Sequence, residues 1–364
     1  MKQPYRKIFF AIIISIVYLA CAGIVFAEKE KPVFIKVPLA YPSGLPGLGT
    51  SIKYLAEKAP VISDGSVGIK IYEPGKLIPA FEMLGAVDKQ VVEACYGVSG
   101  YWSGKVGNSL NFFTAVPFGP EAPEYLAWIY NGNGLNLWQE SYDAKGFNVK
   151  VLPCGIMSPE SSGWYTKEIK SVADFKGLPI RFFGLGGQVL TKLGASVQQI
   201  PGGEIFGALE KGVIDGSEFS TPAIDTQLGF YKVAKFNYFP GWHQQATFLE
   251  LLINKDVWNG MTPKQQTVIE ELCKSATLAN LAYSESIQAP VMKENVAAHG
   301  VKNIRWSDEM LRTFEDAWME VVKEESAKDP MFKKIWDDLS GFRKEYKEWS
   351  DYGFLPRKQE GVIR

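Results

Sequence analysis

Hydrophobic positions along this chain switch repeatedly between a two-residue and a helical period. Residues 34–39 alternate apolar and polar, which predicts a strand, and "YPSGLPGLGTSIKYLAEKA" follows as a glycine- and proline-rich loop opening a helix. The order then recurs: "IKIYEPG" predicts a strand, residues 80–88 a helix, "VVEACYGV" a strand, residues 121–130 and 136–145 helices, and "FNVKVLPCG" the next strand. A second run begins near Cys154, with "SVADFKGLPIRF" as a turn into a strand, "GLGGQVLTKLGA" as a helix, "VQQI" as a strand and residues 203–211 as a helix. Gly216 and Ser217 then deliver Glu218 and Phe219 at the end of a short strand-like run. Short strands alternating with helices define an α/β protein with ligand access at strand ends.

Beyond this, "TFLELLIN" predicts a long strand. "MTPKQQTVIEELCKSATLANLAYSESI" predicts a helix with Thr262 as N-cap, Pro263 at the first position and Gln265 three residues on. After Asp308 the chain is helical, charged and aromatic-rich, with Phe314, Trp318 and Val321, then Trp336, Phe342, Tyr346 and Trp349, on apolar faces. Those faces must pack on the protein's own body or on a partner subunit.

At the amino terminus Lys2, Arg6 and Lys7 precede an apolar run, and Val25-Phe26-Ala27 places small residues where a leader is cut. This predicts a secretory signal peptide over residues 1–27, with a membrane anchor or lipidation at Cys21 as the lesser alternatives. Losing those three basic residues takes the formal charge from −1 to about −4, and no block of like charge remains. Nucleic acid is therefore not an expected partner. Cys95, Cys154 and Cys273 would survive cleavage, an odd number in apolar contexts, which predicts buried free thiols while leaving one pairing open.

The usual hydrolytic signatures are missing. Two histidines, His243 and His299, stand in a sequence without HExxH, GxSxG, paired CxxC or a phosphate loop. "GLGG" at 184–187 lacks dinucleotide spacing and reads as a tight turn at a cleft. Arg181 ends an apolar run, so its guanidinium either pairs with an internal carboxylate or waits in a cleft for one. Glu218, in "DGSEFSTP", poses the same question with the opposite sign, since a carboxylate there must meet a cation or donors. Glu160 and Gln244 are candidate oxygen companions for a hard cation beside it.

"GWYTKEIKSVADFKGLPIRFFGLGGQVLTKLGAS", "IPGGEIFGALEKGVIDGSEF", "LGFYKVAKFNYFPGW", "ELLINKDVW" and "SGYWSGK" together resemble the extracytoplasmic solute-binding proteins of tripartite ATP-independent periplasmic (TRAP) transporters. The long helical tail is similar to that of the branch that binds 2-oxo acids, whose members dimerise by exchanging the C-terminal helix. The resemblance implies a two-lobed clamshell with a long C-terminal helical extension. Residues 28–153 and 246–283 would form lobe I, residues 154–245 and 284–306 lobe II, and residues 307–364 the C-terminal helices.

The resemblance also implies site roles. Arg181 would hold the ligand carboxylate, and a metal cation, sodium or calcium, would bridge protein and substrate. Glu218, the Phe219 carbonyl, Glu160 and Gln244 would be the cation's ligands. Phe219 stands where tryptophan is usual, and Glu160 and Gln244 exchange glutamine and glutamate with the family pattern, so the set of two carboxylates and one amide survives. Tyr101, Trp102, Phe182, Phe219 and Trp242 are the expected cleft walls, with core packing as the alternative for each, and would admit a 2-oxo or 2-hydroxy monocarboxylate, even a bulky or aromatic one. The expected protein is a non-catalytic periplasmic receptor, a homodimer serving TRAP permease subunits. An exported enzyme using His243 or Glu160 as base, and a ligand-binding sensor, are the rival classes.

Overall fold

The computed structural model describes residues 30–355, and every element in it begins at Val33 or later. The expected leader, Cys21 and the last nine residues lie outside the described part. The strands are β1 (Val33–Pro38), β2 (Val67–Tyr72), β3 (Ala94–Gly97), β4 (Val149–Met157), β5 (Trp164–Tyr165), β6 (Pro179–Arg181), β7 (Ser196–Gln198), β8 (Gly216–Ser217), β9 (Phe236–Phe239), β10 (Thr247–Asn254) and β11 (Lys302–Arg305).

They make two layers, the first from two sheets joined by a bridge and the second from one sheet. In the first, β10 lies between β3 and β4, antiparallel to both, and the bridge Leu39–Tyr96 joins this ladder to the parallel pair β1 and β2. All eight residues of β10 are buried, which explains why "TFLELLIN" is apolar on both faces: it is covered on each side. The second layer runs β11-β9-β5-β8-β6-β7, with β6 parallel to both β7 and β8. Three segments cross between the layers: the one leaving β4 for β5, the one leaving β9 for β10, and the one leaving β10 for β11. The predicted helix at 80–88 is divided into a 3₁₀ turn, Ala80–Glu82, and the helix Met83–Asp88.

One helix, Pro263–His299, serves both lobes. It starts in the predicted capping box, with Thr262 and Gln265 satisfying each other's backbone N–H groups, and stops at Gly300, whose φ of 64° suits glycine. Asn280 donates to the Ile156 carbonyl at 3.0 Å on the first-sheet side, while Gln288 accepts from the Ala223 N–H and Asn295 donates to Thr226 on the other. The helix passes through Pro290 without a break, so the expected lobe border at 283/284 falls inside a continuous element.

The tail forms the helices Asp308–Lys328 and Pro330–Gly353, N-capped by Ser307 and Asp329. Phe314 stacks on Trp242 with centroids 4.8 Å apart, and Phe332 packs on Phe112 at 4.6 Å, so most of the tail covers the protein's own body. Its end does not: Trp349, Tyr352, Phe354 and Leu355 are exposed. Cys95, Cys154 and Cys273 are buried free thiols.

Candidate ligand-binding site

Strand register places the first two charged groups. Arg181 ends β6 opposite Ser217 of the parallel neighbour β8, so Arg181 and Glu218 emerge side by side at strand C-termini, where α/β sheets bind ligands. The Glu218 N–H donates to the Arg181 carbonyl at 3.1 Å. Nη1 of Arg181 returns to both the carbonyl and the Oε2 of Glu218, the latter at 2.9 Å, and Nε donates to the Ile200 carbonyl. The Phe183 N–H adds a 2.9 Å bond to the same Oε2. The Phe219 ring lies 5.3 Å from the guanidinium carbon.

The other polar groups come from the first two of the crossing segments. Glu160 lies beyond β4, and His243 and Gln244 lie beyond β9. The segments touch backbone to backbone: the Glu160 N–H donates to the Gln244 carbonyl at 3.2 Å. A Cβ on Gly241 would sit 2.3 Å from the Glu160 carbonyl oxygen, so this approach requires glycine. Gln244 Nε2 donates to Glu160 Oε1 at 2.8 Å, and the Thr247 hydroxyl donates to the same oxygen at 3.2 Å. His243 Nε2 stands 3.6 Å from Glu160 Oε2 and 3.7 Å from Glu218 Oε1, at ion-pair range but beyond hydrogen bonding.

Electrostatics divide these groups sharply. Burial penalises the Glu218 carboxylate, but the Arg181 and His243 charges overcome that and hold it down to about 2. Glu160 has no such arginine, so burial and the Glu218 charge push it up to about 7 against the pull of His243. Burial would lower the His243 imidazole, yet the two facing carboxylates raise it to about 9. Behind them Asp225, buried and held by the Trp164 indole at 2.9 Å, is pushed well up by burial and by Glu160.

A small cavity of about 20 Å³ opens on this cluster. Glu160, Arg181, Glu218, Gln244, Thr247 and Thr114 form its polar side, and Tyr41, Leu48, Val98, Tyr101, Phe183 and Phe219 its walls. Six expected site residues thus meet around one cavity: Arg181, Glu160, Glu218, Phe219, Gln244 and Tyr101.

Three do not line it. Trp102 turns into the first-lobe core, where its indole donates to Glu250 at 2.6 Å, a bond that a buried indole N–H needs. Phe182 and Trp242 stack on each other at 5.9 Å and belong to the aromatic core beneath the tail. Pleating gives the reason: Arg181 and Phe183 share one face at the end of β6, and Phe182 takes the other. Sequence reasoning missed Phe183, which this two-residue alternation would have found. It also missed Tyr41 and Thr114, for which no local signal exists, and treated His243 only as a catalytic alternative.

The donor set suits a cation. Glu160 Oε2, Gln244 Oε1 and His243 Nε2 are buried without hydrogen-bond partners in one cluster, and Glu160, Glu218 and His243 each offer a ligand atom within 4.8 Å of the others. A cation between the carboxylates would satisfy acceptors that the protein leaves open.

Two α/β lobes joined by crossing segments, with a small cavity at strand ends bearing one arginine and a cation-ready acidic cluster, define a solute-binding receptor. The chain belongs to the bacterial extracellular solute-binding protein family 7 (DctP), whose model matches residues 45–329. It is 35% identical over 305 residues, 83% of each chain, to a monocarboxylate 2-oxoacid-binding periplasmic protein of Nostoc. Among solved structures it resembles a TRAP transporter solute-binding protein of Bordetella bronchiseptica with copurified calcium and picolinate, described as a mixed-occupancy dimer. That match has a TM-score of 0.84 and 32% identity, and covers 88% of this chain and 95% of that one. It likewise resembles a TRAP protein of Pseudoalteromonas atlantica with bound sodium and pyruvate, at TM-score 0.84 and 30% identity, covering 88% and 97%. The protein is a TRAP solute-binding protein with the two-lobed fold and a C-terminal helical stretch. Its family comprises substrate-binding receptors of transporters, not enzymes, and such receptors bind small organic carboxylates and work with a membrane permease.

Proposed function

We propose that this receptor captures a small 2-oxo or 2-hydroxy monocarboxylate in the periplasm, with a cation bridging ligand and protein, and presents it to TRAP permease subunits. The observation that carries the reading is the meeting of Arg181, Glu218, Glu160 and Gln244 around one small cavity. Arg181 would bind the ligand carboxylate. Its Nε and Nη1 are engaged by Ile200 and Glu218, so the contact falls to Nη2 rather than to the usual paired fork. Glu218 then acts twice, fixing the guanidinium with Oε2 and facing the cation with Oε1. Glu160, Gln244 and the Phe219 carbonyl would complete the cation's oxygen ligands, and the cation supplies positive charge to the ligand's oxygens when bound.

The cavity is tight, which favours short acids such as pyruvate over long or branched ones. Tyr101, Phe183 and Phe219 set that limit. Because Arg181 and Glu218 belong to the second lobe while Tyr41, Val98 and Tyr101 belong to the first, a ligand touching both selects the closed state.

Secretion would proceed through cleavage of the leader near Ala27. A homodimer is supported by the exposed apolar end of Pro330–Gly353 and by the Bordetella relative; size-exclusion chromatography with light scattering should give twice the chain mass, falling to one when residues 349–364 are deleted. For the ligand, thermal unfolding of the stripped mature protein should show a raised midpoint with one short 2-oxo or 2-hydroxy acid in the presence of a divalent cation. No shift with any acid under any cation would reject the reading.

A further inference from the structure

Phe183 reaches from the second lobe to the first, and what receives its ring is bare backbone. A Cβ on Gly100 would overlap the tip of that ring, standing 3.1 Å from Cε1, and would lie 2.7 Å from Asn111 Oδ1. Gly184, next after Phe183 and with a φ of 59°, meets the same oxygen from the other lobe, since its Cβ would also stand 2.7 Å away. Asn111 Oδ1 is buried without a hydrogen-bond partner, while Nδ2 donates to the Asn108 carbonyl at 3.0 Å. The φ of Gly100 lies outside the left-handed region, so its own backbone does not require glycine. The requirement comes from the approach of the second lobe.

We infer that Gly100 is the position that lets the lobes close: its missing side chain is the socket for Phe183, and it controls affinity through closure without touching the ligand. This rests on the receptor reading for the ligand that drives closure. Gly100 does not line the cavity, although Tyr101, Thr114 and Phe183 do. Neither partner can give way. Ser99 and Trp102, on either side of Gly100, both bond Glu250, at 2.8 and 2.6 Å, and the Gly100 N–H donates to Thr114 Oγ1 at 3.1 Å. The Phe183 N–H is tied to Glu218 Oε2 at 2.9 Å, and its ring stands edge to face on Tyr101 at 5.7 Å. A methyl at Gly100 would therefore hold back the ring and, with it, the strand ends that carry Arg181 and Glu218. With the lobes apart, only Asn111 Oδ1 opposes that methyl, and it has no bond to lose.

The test uses the stripped full mature chain with pyruvate and calcium chloride, read by calorimetry and small-angle scattering. Wild type should contract when both are added. Gly100→Ala should bind pyruvate about 10- to 100-fold more weakly, as expected for one overpacked methyl, and stay expanded at a concentration that saturates wild type. Its ligand-free thermal midpoint should move by less than about 2 °C. In a Phe183→Leu background, which removes the tip of the ring, the same Gly100→Ala change should cost less than about threefold. Hydrogen exchange on the unmodified chain reports the contact whether or not a variant folds: amides over Asn108–Phe113 and Gly184–Lys192, which do not line the cavity, should slow when pyruvate and calcium are added. Wild-type affinity in Gly100→Ala, an equal loss in the Phe183→Leu background, or unchanged exchange over both segments would overturn the inference. A wild type that takes up neither pyruvate nor any other short acid would instead remove the receptor reading, and this inference with it.

Discussion

Glu250 and Glu160 are both buried carboxylates held up to about 7 mainly by desolvation, yet their surroundings are opposite. Glu250, in the middle of β10, accepts from Trp102 at 2.6 Å, Ser99 at 2.8 Å, Tyr142 at 2.8 and 2.9 Å, and Trp138 at 3.2 Å. Both oxygens are saturated, and it ties a helix, a strand and the 3₁₀ segment Ser99–Trp102 into the first-lobe core. Glu160 leaves Oε2 without a partner and faces a cavity, a second carboxylate and an imidazole. Satisfaction, not burial, separates the acid that builds the lobe from the acid that waits for a ligand.

The comparison breaks most visibly at Glu250. Glu250→Leu strands the indole and hydroxyl donors of Trp102, Trp138, Tyr142 and Ser99 in the core, and urea unfolding should show a loss of at least about 4 kcal/mol. The corresponding change at the site, Glu160→Gln, removes a charge that has no full set of donors. It should leave stability within about 1 kcal/mol or raise it slightly at pH 8, while weakening cation affinity at least about tenfold. A large loss of stability in Glu160→Gln would erase the distinction.

Arg181 and Glu218 sit between these extremes, since they are a buried ion pair inside the binding site. Arg181→Ala should abolish carboxylate binding and also lower stability by about 3 kcal/mol, because Glu218 is left charged and buried. The double variant Arg181→Met/Glu218→Leu should recover much of that stability but none of the binding, which calorimetry and denaturant titration can separate.

A gentler probe is pH. Burial raises Glu250 above its ordinary 4.5, so its contribution to stability is fully present below about 4.5 and is lost as pH rises through about 7. The stability difference between wild type and Glu250→Gln should therefore shift against wild type by up to about 3 kcal/mol between pH 4.5 and pH 8. A difference that stays flat would mean that the four donors hold Glu250 ionised throughout. Smallest of all is the contrast between adjacent residues: Trp102→Phe should lower stability by about 1 kcal/mol and leave affinity unchanged, and Tyr101→Phe should do the reverse, shifting affinity alone.

The sequence carried the architecture wherever a signal is local. The capping box at Thr262 and Gln265, the alternation at residues 34–39 and the glycine-delimited approach to Glu218 each predicted the element that forms. Arg181 and Glu218 were each legible as a charge in want of a partner; that they meet each other follows from the parallel register of β6 and β8, which spacing alone does not give. Phe182 and Trp102 were misplaced because "RFF" and "YW" give two aromatic neighbours without saying which one the pleat or turn aims inward. His243 acquires its meaning only when the β4–β5 and β9–β10 crossings touch at Gly241, a contact between segments far apart in the chain. Glu250, alone among apolar residues in "TFLELLIN", carried a visible signal as an acid needing donors, and its donors lie too far along the chain to be paired with it by spacing.

The most direct measurement of the central claim is isothermal titration of the stripped mature protein with pyruvate, run with and without a divalent cation and repeated with Arg181→Ala. The account predicts saturable binding of one pyruvate per chain that requires the cation and vanishes in the variant. Binding that is indifferent to both the cation and Arg181 would contradict it.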